Sequence, residues 1–271
     1  MKLRTARLRL AAAGARLVFA AVALLVTAGA GLPVHGQAPA APAGSTIVLV
    51  HGAWGGGWAF RRVEALLRER GHTVYRPTLT GQGERVHLAS PEIGLETHVE
   101  DVVNVILFED LRDVVLVGHS YGGMVVTGVA DRVADRVRKI VYVDAFVPGD
   151  GDSLMSLVGD GGAWLKSMEK DGFVVPPWVR SGQSPPHDVP HSLRTLTDTL
   201  TLRNGAARRI PAIYILTLEA GKEDDDFSAQ AQRARARGWP VERLQADHNP
   251  QWSAPEQFAD MLDRAACSCG D

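Results

Sequence analysis

Residues 114–126 read VVLVGHSYGGMVV and pass from an apolar run into a serine that lies between two glycines. The apolar run has the length of a buried β-strand, and the residues from Gly122 onward have the pattern of a buried helix. Gly118 and Gly122 permit a turn that is too sharp for side chains, and they let the helix pack closely against the strand. The stretch therefore predicts a strand, a tight turn and a helix, with the Ser120 hydroxyl exposed at the end of a sheet.

The same succession of strand-length apolar runs and helical patterns continues on both sides of this serine turn (residues 118–122). Strands are predicted at residues 46–52, 72–77, 113–118, 139–146, 210–217 and 241–246. Helices are predicted at residues 60–71, 96–110, 122–134, 227–238 and 255–266. Strands that are apolar nearly throughout and that alternate with helices indicate an α/β fold, with a mostly parallel sheet of about six strands and helices on both faces.

Residues 148–209 interrupt this alternation. They contain clusters of glycine and proline, such as PPW and SPPH, and only short helical pieces. The segment is longer than a simple connection between two elements. We therefore expect an inserted cap over the carboxyl edge of the sheet, where open α/β sheets bind their ligands. The main domain then spans residues 46–266, and residues 267–271 form a C-terminal tail.

The N-terminal residues have a different composition. An apolar stretch, LVFAAVALLVTAGAG at 17–31, follows basic residues and leads into small residues near Ala30 and Ala38. The basic residues are Lys2, Arg4, Arg7, Arg9 and Arg16. This order is typical of a secretory signal peptide, and the apolar stretch is short for a membrane span. We expect residues 1–38 to hold a signal peptide and the start of a spacer, and residues 39–45 to form a linker.

The mature protein is therefore expected to be exported, periplasmic or extracellular, with no stable membrane span after processing. An uncleaved N-terminal anchor is the alternative. Removal of the five leader residues from the 29 basic ones leaves 24 against 31 acidic residues, so the mature chain has a net charge near −7. A nucleic-acid partner would require a basic face, which the sequence lacks.

The sequence contains no signature of a metal site. Its two cysteines, Cys267 and Cys269, both lie in the tail, and neither a CxxC pair nor an HExxH motif occurs. We therefore expect no metal and no cofactor.

A serine in such a turn can act as a nucleophile if a base accepts its proton. His248, in the segment LQADHNPQW, follows the last predicted strand and precedes the last predicted helix, which is the position of the base in a chain order of serine, acid and histidine. Other histidines are less well placed. His119 lies inside the serine turn and is expected to shape it. His187 and His191 lie in the cap, where a surface position is expected and a contact with the substrate is the alternative.

A tetrahedral intermediate at the serine would require hydrogen-bond donors for its oxyanion. The segment HGAWGGGW, residues 51–58, follows the first predicted strand, and its glycines allow the backbone to approach a substrate closely. We call these residues the oxyanion turn. The backbone N–H groups of Ala53 and Tyr121 are the predicted pair of donors.

Together these segments resemble the α/β-hydrolase superfamily, and within it the small esterases related to plant methylesterases and hydroxynitrile lyases. The resemblance extends from about Thr46 to Ala266 and rests on VHGAWGGGW, GHTVYRPTLTGQGER, GHSYGGMV, VYVDAFVPGDG and DHNPQWSAPEQFA. It implies the α/β-hydrolase fold, with Ser120 as the nucleophile, His248 as the base and the two donors named above.

The acid is the point at which the sequence departs from the pattern of this family. The usual aspartate follows the strand before the last one, where this chain reads ILTLEAGKEDDDF and offers Glu219, followed by a charge run at residues 224–226 that is typical of a solvated loop. Asp144 is the rival, because it ends the predicted strand KIVYVDAF and a carboxylate at the tip of a buried strand is costly without a partner. We expect Asp144 to be the acid, with Glu219 as the alternative.

The combined prediction is a secreted serine hydrolase that cleaves a small-molecule carboxylic ester through an acyl-enzyme intermediate. A second hypothesis is a hydroxynitrile lyase, or another C–C bond lyase, on the same fold. The plant lyases of this branch carry a lysine directly after the catalytic histidine, where this chain has Asn249. A third hypothesis is a non-enzymatic receptor for a small ligand, because a fold does not determine a function.

Overall fold

The computed structural model describes residues 44–267. The expected signal peptide and its cleavage sites, the linker before residue 44 and the end of the tail with Cys269 lie outside the described residues. Among residues 44–267, no helix combines the length and the apolar composition that are needed to cross a membrane.

Strands and helices alternate along most of the described chain. The strands are β1 (Thr46–Val50), β2 (Thr73–Tyr75), β3 (Val114–His119), β4 (Val137–Val143), β5 (Glu169–Lys170), β6 (Phe173–Val174), β7 (His191–Ser192), β8 (Ala212–Leu218) and β9 (Val241–Gln245). The α-helices are α1 (Arg61–Glu69), α2 (Leu95–Phe108), α3 (Gly122–Arg132), α4 (Leu154–Leu157), α5 (Ala163–Ser167), α6 (Leu193–Thr197), α7 (Ser228–Ala236), α8 (Pro250–Ser253) and α9 (Pro255–Cys267).

Six of the strands form one sheet in the order β2-β1-β3-β4-β8-β9. Every neighbouring pair in this sheet is parallel. The chain runs outward from β1 to β2 and then returns across β1 to β3, so the winding reverses at the β1–β3 pair. Open α/β sheets bind ligands at the carboxyl ends of the strands at such a point. The register pairs Val50 with Gly118, and the oxyanion turn and the serine turn therefore leave the sheet side by side.

The sheet separates two apolar layers, as its strands are apolar on both faces. Side chains of β1 alternate between the layers, with Val48 and Val50 in one and Ile47 and Leu49 in the other. Helices α2, α3 and α7 contribute to the first layer, and helices α1 and α9 contribute to the second. Since each fully buried aliphatic side chain contributes about 1.5–3 kcal/mol relative to an exposed one, the two layers hold the edge of the sheet in place.

Close packing of α3 against the sheet depends on glycine at both ends of the serine turn. A Cβ atom at Gly118 would lie 2.7 Å from the carbonyl oxygen of Gly122. A Cβ atom at Gly122 would lie 2.6 Å from the carbonyl oxygen of Val50. Both distances are shorter than the contacts that real Cβ atoms make. Helix α3 can therefore approach β1 and β3 this closely only because neither position carries a side chain.

The residues between β4 and β8 depart from the layered pattern. This cap segment (residues 148–209) contains the short helices α4, α5 and α6 and a small antiparallel sheet in the order β5-β6-β7. The sequence predicts short helical pieces here but not this sheet, because strands of 2 residues are too short to have a periodic pattern. The cap segment and the carboxyl edge of the main sheet line a common cavity.

The predicted fold class is confirmed, since the main sheet has six parallel strands with helices on both faces. One strand boundary differs in a place that matters for the site. The strand predicted at residues 139–146 ends at Val143, because Asp144 has a φ of 44° and leaves the extended conformation. Asp144 therefore belongs to the connection that follows β4.

Candidate active site

Ser120 lies in the serine turn with a left-handed backbone conformation, at a φ of 54°. A non-glycine residue in this conformation stores about 1–3 kcal/mol of strain, which the surrounding structure must offset. Two backbone hydrogen bonds join it to the chain at the end of β4: Ser120 N–H donates to the oxygen of Val143 over 3.2 Å, and Ser120 O accepts from the N–H of Phe146 over 3.2 Å. The chain at the end of β4 thus holds the serine at the carboxyl edge of the sheet.

Three side chains from separate parts of the sequence form a chain of hydrogen bonds at this edge. His248 Nε2 lies 3.1 Å from Ser120 Oγ, and His248 Nδ1 lies 2.7 Å from Asp144 Oδ2. Because a carboxylate accepts, Nδ1 carries the proton and donates to Asp144, which leaves Nε2 as an acceptor for the serine hydroxyl. The arrangement can therefore move a proton from Ser120 to His248.

Asp144 is completely buried, and both of its side-chain oxygens accept hydrogen bonds. Oδ2 accepts from His248, and Oδ1 accepts from the backbone N–H of Thr217 over 3.1 Å. Its own N–H donates to the oxygen of Ile215 over 2.8 Å, so the neighbouring strand β8 fixes both its backbone and its side chain. A buried carboxylate that is satisfied in this way is a fixed partner for the imidazole.

The structure places Asp144, and not Glu219, against His248. The Glu219 side chain is 55% exposed and pairs with Lys222 over 2.7 Å. Within the described part of the chain, residues 224–226 make no hydrogen bond to His248 either; its ring nitrogens bond only Ser120 and Asp144.

Two aromatic rings pack against His248. The ring of Phe227 stacks on it at a centroid distance of 4.7 Å, and the ring of His119 lies 4.9 Å away. His119 Nε2 donates to the backbone oxygen of His248 over 2.7 Å. Burial, together with the neighbouring His248, lowers the pKa of His119 to about 3. His119 is therefore neutral, and its contact positions the backbone of His248.

The oxyanion turn lies directly against the serine turn. A Cβ atom at Gly52 would lie 3.0 Å from the Cβ atom of Ser120. Among residues 44–267, no group accepts a hydrogen bond from the backbone N–H of Ala53 or of Tyr121. Tyr121 also precedes the first residue of α3, where the helix dipole adds positive potential. The two N–H groups are therefore available to stabilise negative charge on a ligand oxygen.

Ser120 and His248 line a cavity of ≈ 1070 Å³. Apolar side chains from both sides contribute to its wall: Phe146, Leu154, Leu157, Val158, Leu165 and Phe227. Three indoles also line it, with ring centroids 5.6 Å apart for Trp54 and Trp178 and 6.4 Å apart for Trp164 and Trp178. A cavity with such walls suits an apolar ligand that carries a flat ring.

His191 is the residue whose place the sequence did not indicate. A surface position was expected for it, and this expectation is wrong, because the residue is completely buried. Its Nδ1 accepts from the backbone N–H of Trp54 over 3.3 Å, and its ring centroid lies 4.9 Å from that of Tyr121. The local sequence DVPHS has no periodic pattern, so the burial of His191 results from long-range packing that no local signal could have indicated.

One group of side chains among the described residues has the donor types and the spacing of a metal site. His72, Asp263 and Cys267 place their possible ligand atoms within 4.8 Å of one another. None of the three lines the cavity. His72 Nδ1 accepts from the N–H of Ser45 over 3.0 Å, so the proton lies on Nε2, which donates to Asp263 over 2.9 Å. Because both nitrogens of His72 are engaged, this cluster does not support a metal site.

Known proteins match both the sequence and the fold of this chain. The sequence model of the alpha/beta hydrolase family matches residues 47–261. A carbendazim hydrolyzing esterase of Nocardioides sp. (strain SG-4G) is 38% identical over 244 residues, which cover 80% of this chain and 98% of that protein. Methylesterase 8 of Arabidopsis thaliana is 26% identical over 241 residues, which cover 79% of this chain and 87% of that protein. The solved structure of an extracellular alpha/beta-hydrolase from a Paenibacillus species matches with a TM-score of 0.71 at 24% identity, and the match covers 83% of this chain and 100% of that one.

Proposed function

This chain belongs to the alpha/beta hydrolase family, and from that membership we propose that it is a secreted serine esterase that cleaves small-molecule carboxylic esters through an acyl-enzyme intermediate. Its curated relatives include esterases and a pyrethroid hydrolase, which supports hydrolysis of an ester bond. The observation that carries the proposal is the chain of hydrogen bonds from Ser120 through His248 to Asp144.

In the first half of the reaction, Ser120 Oγ attacks the carbonyl carbon of the ester, and the serine proton passes to His248 Nε2. Asp144 keeps the imidazole in the required tautomer and stabilises the imidazolium, because its carboxylate accepts from Nδ1 over 2.7 Å. The tetrahedral intermediate then expels the alcohol, which takes the proton from Nε2. The acyl group remains bonded to Ser120 Oγ.

The carbonyl oxygen gains negative charge in the intermediate and accepts hydrogen bonds from the N–H groups of Ala53 and Tyr121. Their lack of another acceptor among the described residues supports this role. Donors that are already in place need no reorganisation when the charge develops, and loss of one such donor costs about 10²–10³-fold in rate.

In the second half of the reaction, His248 Nε2 accepts a proton from water, and the resulting hydroxide equivalent attacks the acyl carbon. Collapse of the second intermediate returns the proton to Ser120 Oγ and releases the carboxylic acid. Every proton in the cycle passes through His248, and the residues named here suffice for both halves.

For the substrate we propose a neutral ester with a flat, apolar part. The indoles of Trp54, Trp164 and Trp178 and the apolar cap residues support this choice. Carboxylates outnumber the single lysine in the lining and disfavour an anionic substrate. These carboxylates are Asp144, Asp160, Asp188, Glu219, Asp225, Asp226 and Asp247. Relatives named methylesterases and carbendazim hydrolyzing esterase support a small leaving alcohol, such as methanol.

Export is the second component of the proposal. Its support is the order of basic, apolar and small residues before residue 39, which is typical of a cleaved signal peptide.

The experiment that tests the proposed activity is a panel of p-nitrophenyl esters, methyl benzoate and carbendazim, run beside a cyanide-release assay on aromatic cyanohydrins. We expect hydrolysis of neutral esters, and we expect Ser120→Ala to reduce it by about 10³-fold or more. Cyanide release without ester hydrolysis would identify a lyase instead. Saturable binding of a substrate analogue without turnover in either assay would identify a receptor.

A further inference from the structure

Trp54, in the oxyanion turn, has a backbone conformation that non-glycine residues rarely adopt, with a φ of 65°. It directly follows Ala53, whose N–H group is one of the two proposed oxyanion donors. The donor N–H lies in the peptide between Gly52 and Ala53, and the peptide between Ala53 and Trp54 directly follows it, so the backbone conformation at Trp54 helps to set the orientation of that donor. Something outside the turn must hold Trp54 in this conformation, because the turn alone does not favour it.

The cap segment provides that restraint. Every polar group of Trp54 is bonded to it: the backbone N–H donates to His191 Nδ1 over 3.3 Å, the backbone oxygen accepts from the N–H of Val189 over 2.9 Å, and the indole N–H donates to the oxygen of Val174 over 3.0 Å. These three partners come from β6, from β7 and from the residues that lead into β7. Among them, His191 supplies the only side chain.

The hydrogen bond from Trp54 determines the tautomer of His191. Because Nδ1 accepts the backbone N–H, the proton of the neutral ring lies on Nε2. The ring is completely buried, and burial, together with the neighbouring His98 and His51, lowers the pKa of His191 well below its ordinary value. His191 therefore remains neutral, and Nδ1 stays available as an acceptor.

His191 also contacts the other half of the proposed oxyanion hole. Its ring meets that of Tyr121 edge-on at a centroid distance of 4.9 Å and an angle of 75°. His98 restrains Tyr121 at its hydroxyl group. His98 Nε2 donates to the oxygen of Thr80, so the proton of the neutral ring lies on Nε2, and His98 Nδ1 accepts from the Tyr121 hydroxyl over 2.9 Å. The side chain of Tyr121 is thus held between two buried histidines, and its backbone N–H is the second proposed donor.

We propose that His191 is a positioning residue that holds both halves of the oxyanion hole, through Trp54 and through Tyr121. The inference rests on the proposed function, since it assigns His191 to the same reaction. Its consequence is that the cap segment does more than cover the cavity. The oxyanion hole has its working geometry only while residues 174–191 are bonded to Trp54.

The test compares variants that keep or remove the acceptor. His191→Leu removes it, whereas His191→Asn offers Oδ1 near the position of Nδ1. His187→Leu is the matched control, because His187 lies in the same segment and its Nδ1 donates only to the backbone oxygen of the adjacent Asp188, over 2.7 Å. The substrate is p-nitrophenyl acetate, and kcat and KM are measured together with the inhibition constant of an aryl trifluoromethyl ketone, whose adduct with serine carries an oxyanion.

The H191L variant should lose about 10–100-fold in kcat with KM within about 2-fold of the parent, a smaller loss than removal of an oxyanion donor itself. Inhibition by the ketone should weaken by a similar factor, because the ketone adduct mimics the transition state. The H191N variant should recover to within about 5-fold of the parent, and H187L should match the parent.

A folded H191L variant that keeps the kcat of the parent would overturn the proposal, as would a loss confined to KM. If H191L fails to fold, His191→Met, which fills more of the volume of the ring and also lacks the acceptor, takes its place. If neither folds, His191 is a core residue and the positioning role is rejected. Failure of the proposed function has a different signature, because the parent and H187L would then hydrolyse no ester.

Discussion

Asp144 Oδ2 lies 2.7 Å from His248 Nδ1, although 104 positions separate the two residues in the sequence. Asp144 directly follows β4, and His248 follows β9. Strand β8 lies between those two strands in the sheet, and the backbone N–H of Thr217 in β8 bonds the second carboxylate oxygen of Asp144. The aspartate therefore reaches the imidazole across the end of the intervening strand.

Asp144→Asn should remove most of the activity while the protein stays folded. The amide oxygen is needed by the Thr217 N–H, so the amide NH2 would face Nδ1, where it can neither accept a hydrogen bond from Nδ1 nor stabilise the imidazolium. Loss of that support costs up to about 10⁴-fold in kcat. Steady-state hydrolysis of a p-nitrophenyl ester measures the effect.

Glu219→Gln is the matched control, because Glu219 also follows a strand end but pairs with Lys222. We expect this variant to remain within about 10-fold of the parent. An inactive E219Q variant beside an active D144N variant would reverse the assignment of the acid.

Ser120→Ala should reduce ester hydrolysis by about 10³-fold or more, because the nucleophile is lost while binding remains. A fluorophosphonate probe should label the parent and leave the variant unlabelled in gel fluorescence. Ser153→Ala, which removes the capping serine of α4, should still be labelled. Labelling that persists in Ser120→Ala would reveal a different nucleophile.

Expression of the full sequence in a bacterial host should yield protein outside the cytoplasm, with its N-terminus near Gly31 or Pro39. A double variant that places arginines in the apolar stretch, Leu24→Arg with Leu25→Arg, should not be exported, because a signal peptide requires an uninterrupted apolar region. Intact-mass spectrometry of the periplasm, medium and cytosol measures where the parent and the variant accumulate and at which residue each chain begins. An unprocessed chain from Met1 in the cytosol of the parent strain would contradict the export proposal.

Mild acid should destabilise the protein through its buried histidines. Burial lowers the pKa of His51 and of His98 from 6.5 to about 4. Between those two pH values the unfolded chain binds protons that the folded chain excludes, so the free energy of unfolding falls as the pH falls. Each such histidine lowers the free energy of unfolding by up to about 1.4 kcal/mol for each unit by which the pH falls in this range. This change per pH unit is the slope of stability against pH.

His51→Gln should make the slope shallower, by up to about 1.4 kcal/mol per pH unit. The glutamine oxygen can accept from the N–H of Leu79 as His51 Nε2 does over 3.1 Å, so the variant keeps the folded structure. Urea unfolding between pH 5 and pH 7 measures the slope. The exposed His87 provides the control variant His87→Gln. An unchanged slope in H51Q would mean that another group dominates acid unfolding.

Local pattern was sufficient for the fold. The apolar runs of β1 and β3 and the glycines at 118 and 122 act within a few residues of one another, and such patterns determine strand, turn and helix directly. Ser120 could be predicted for the same reason, because the residues directly beside it determine the turn that exposes it. His248 followed from its order in the chain, between the last strand and the last helix.

For the acid, the sequence favoured Asp144 but left Glu219 open as the alternative. Asp144 and Glu219 both follow ends of neighbouring strands, and both have a suitable charge. The positive φ of Asp144 and the N–H of Thr217 direct one carboxylate to the imidazole, while the other pairs with Lys222. Neither the φ of Asp144 nor its hydrogen bond from Thr217 can be predicted from the residues beside Asp144 in the sequence.

The amino-acid sequence by itself thus determined the layered sheet and the serine turn that holds Ser120, the proposed nucleophile, because these depend on steric and hydrophobic rules with a range of a few residues. Only the tertiary structure decided which carboxylate meets His248, and that His191 is buried against the oxyanion turn. Those contacts join residues 104 and 137 positions apart. They form because burial leaves each polar group with only the partners that packing brings to it.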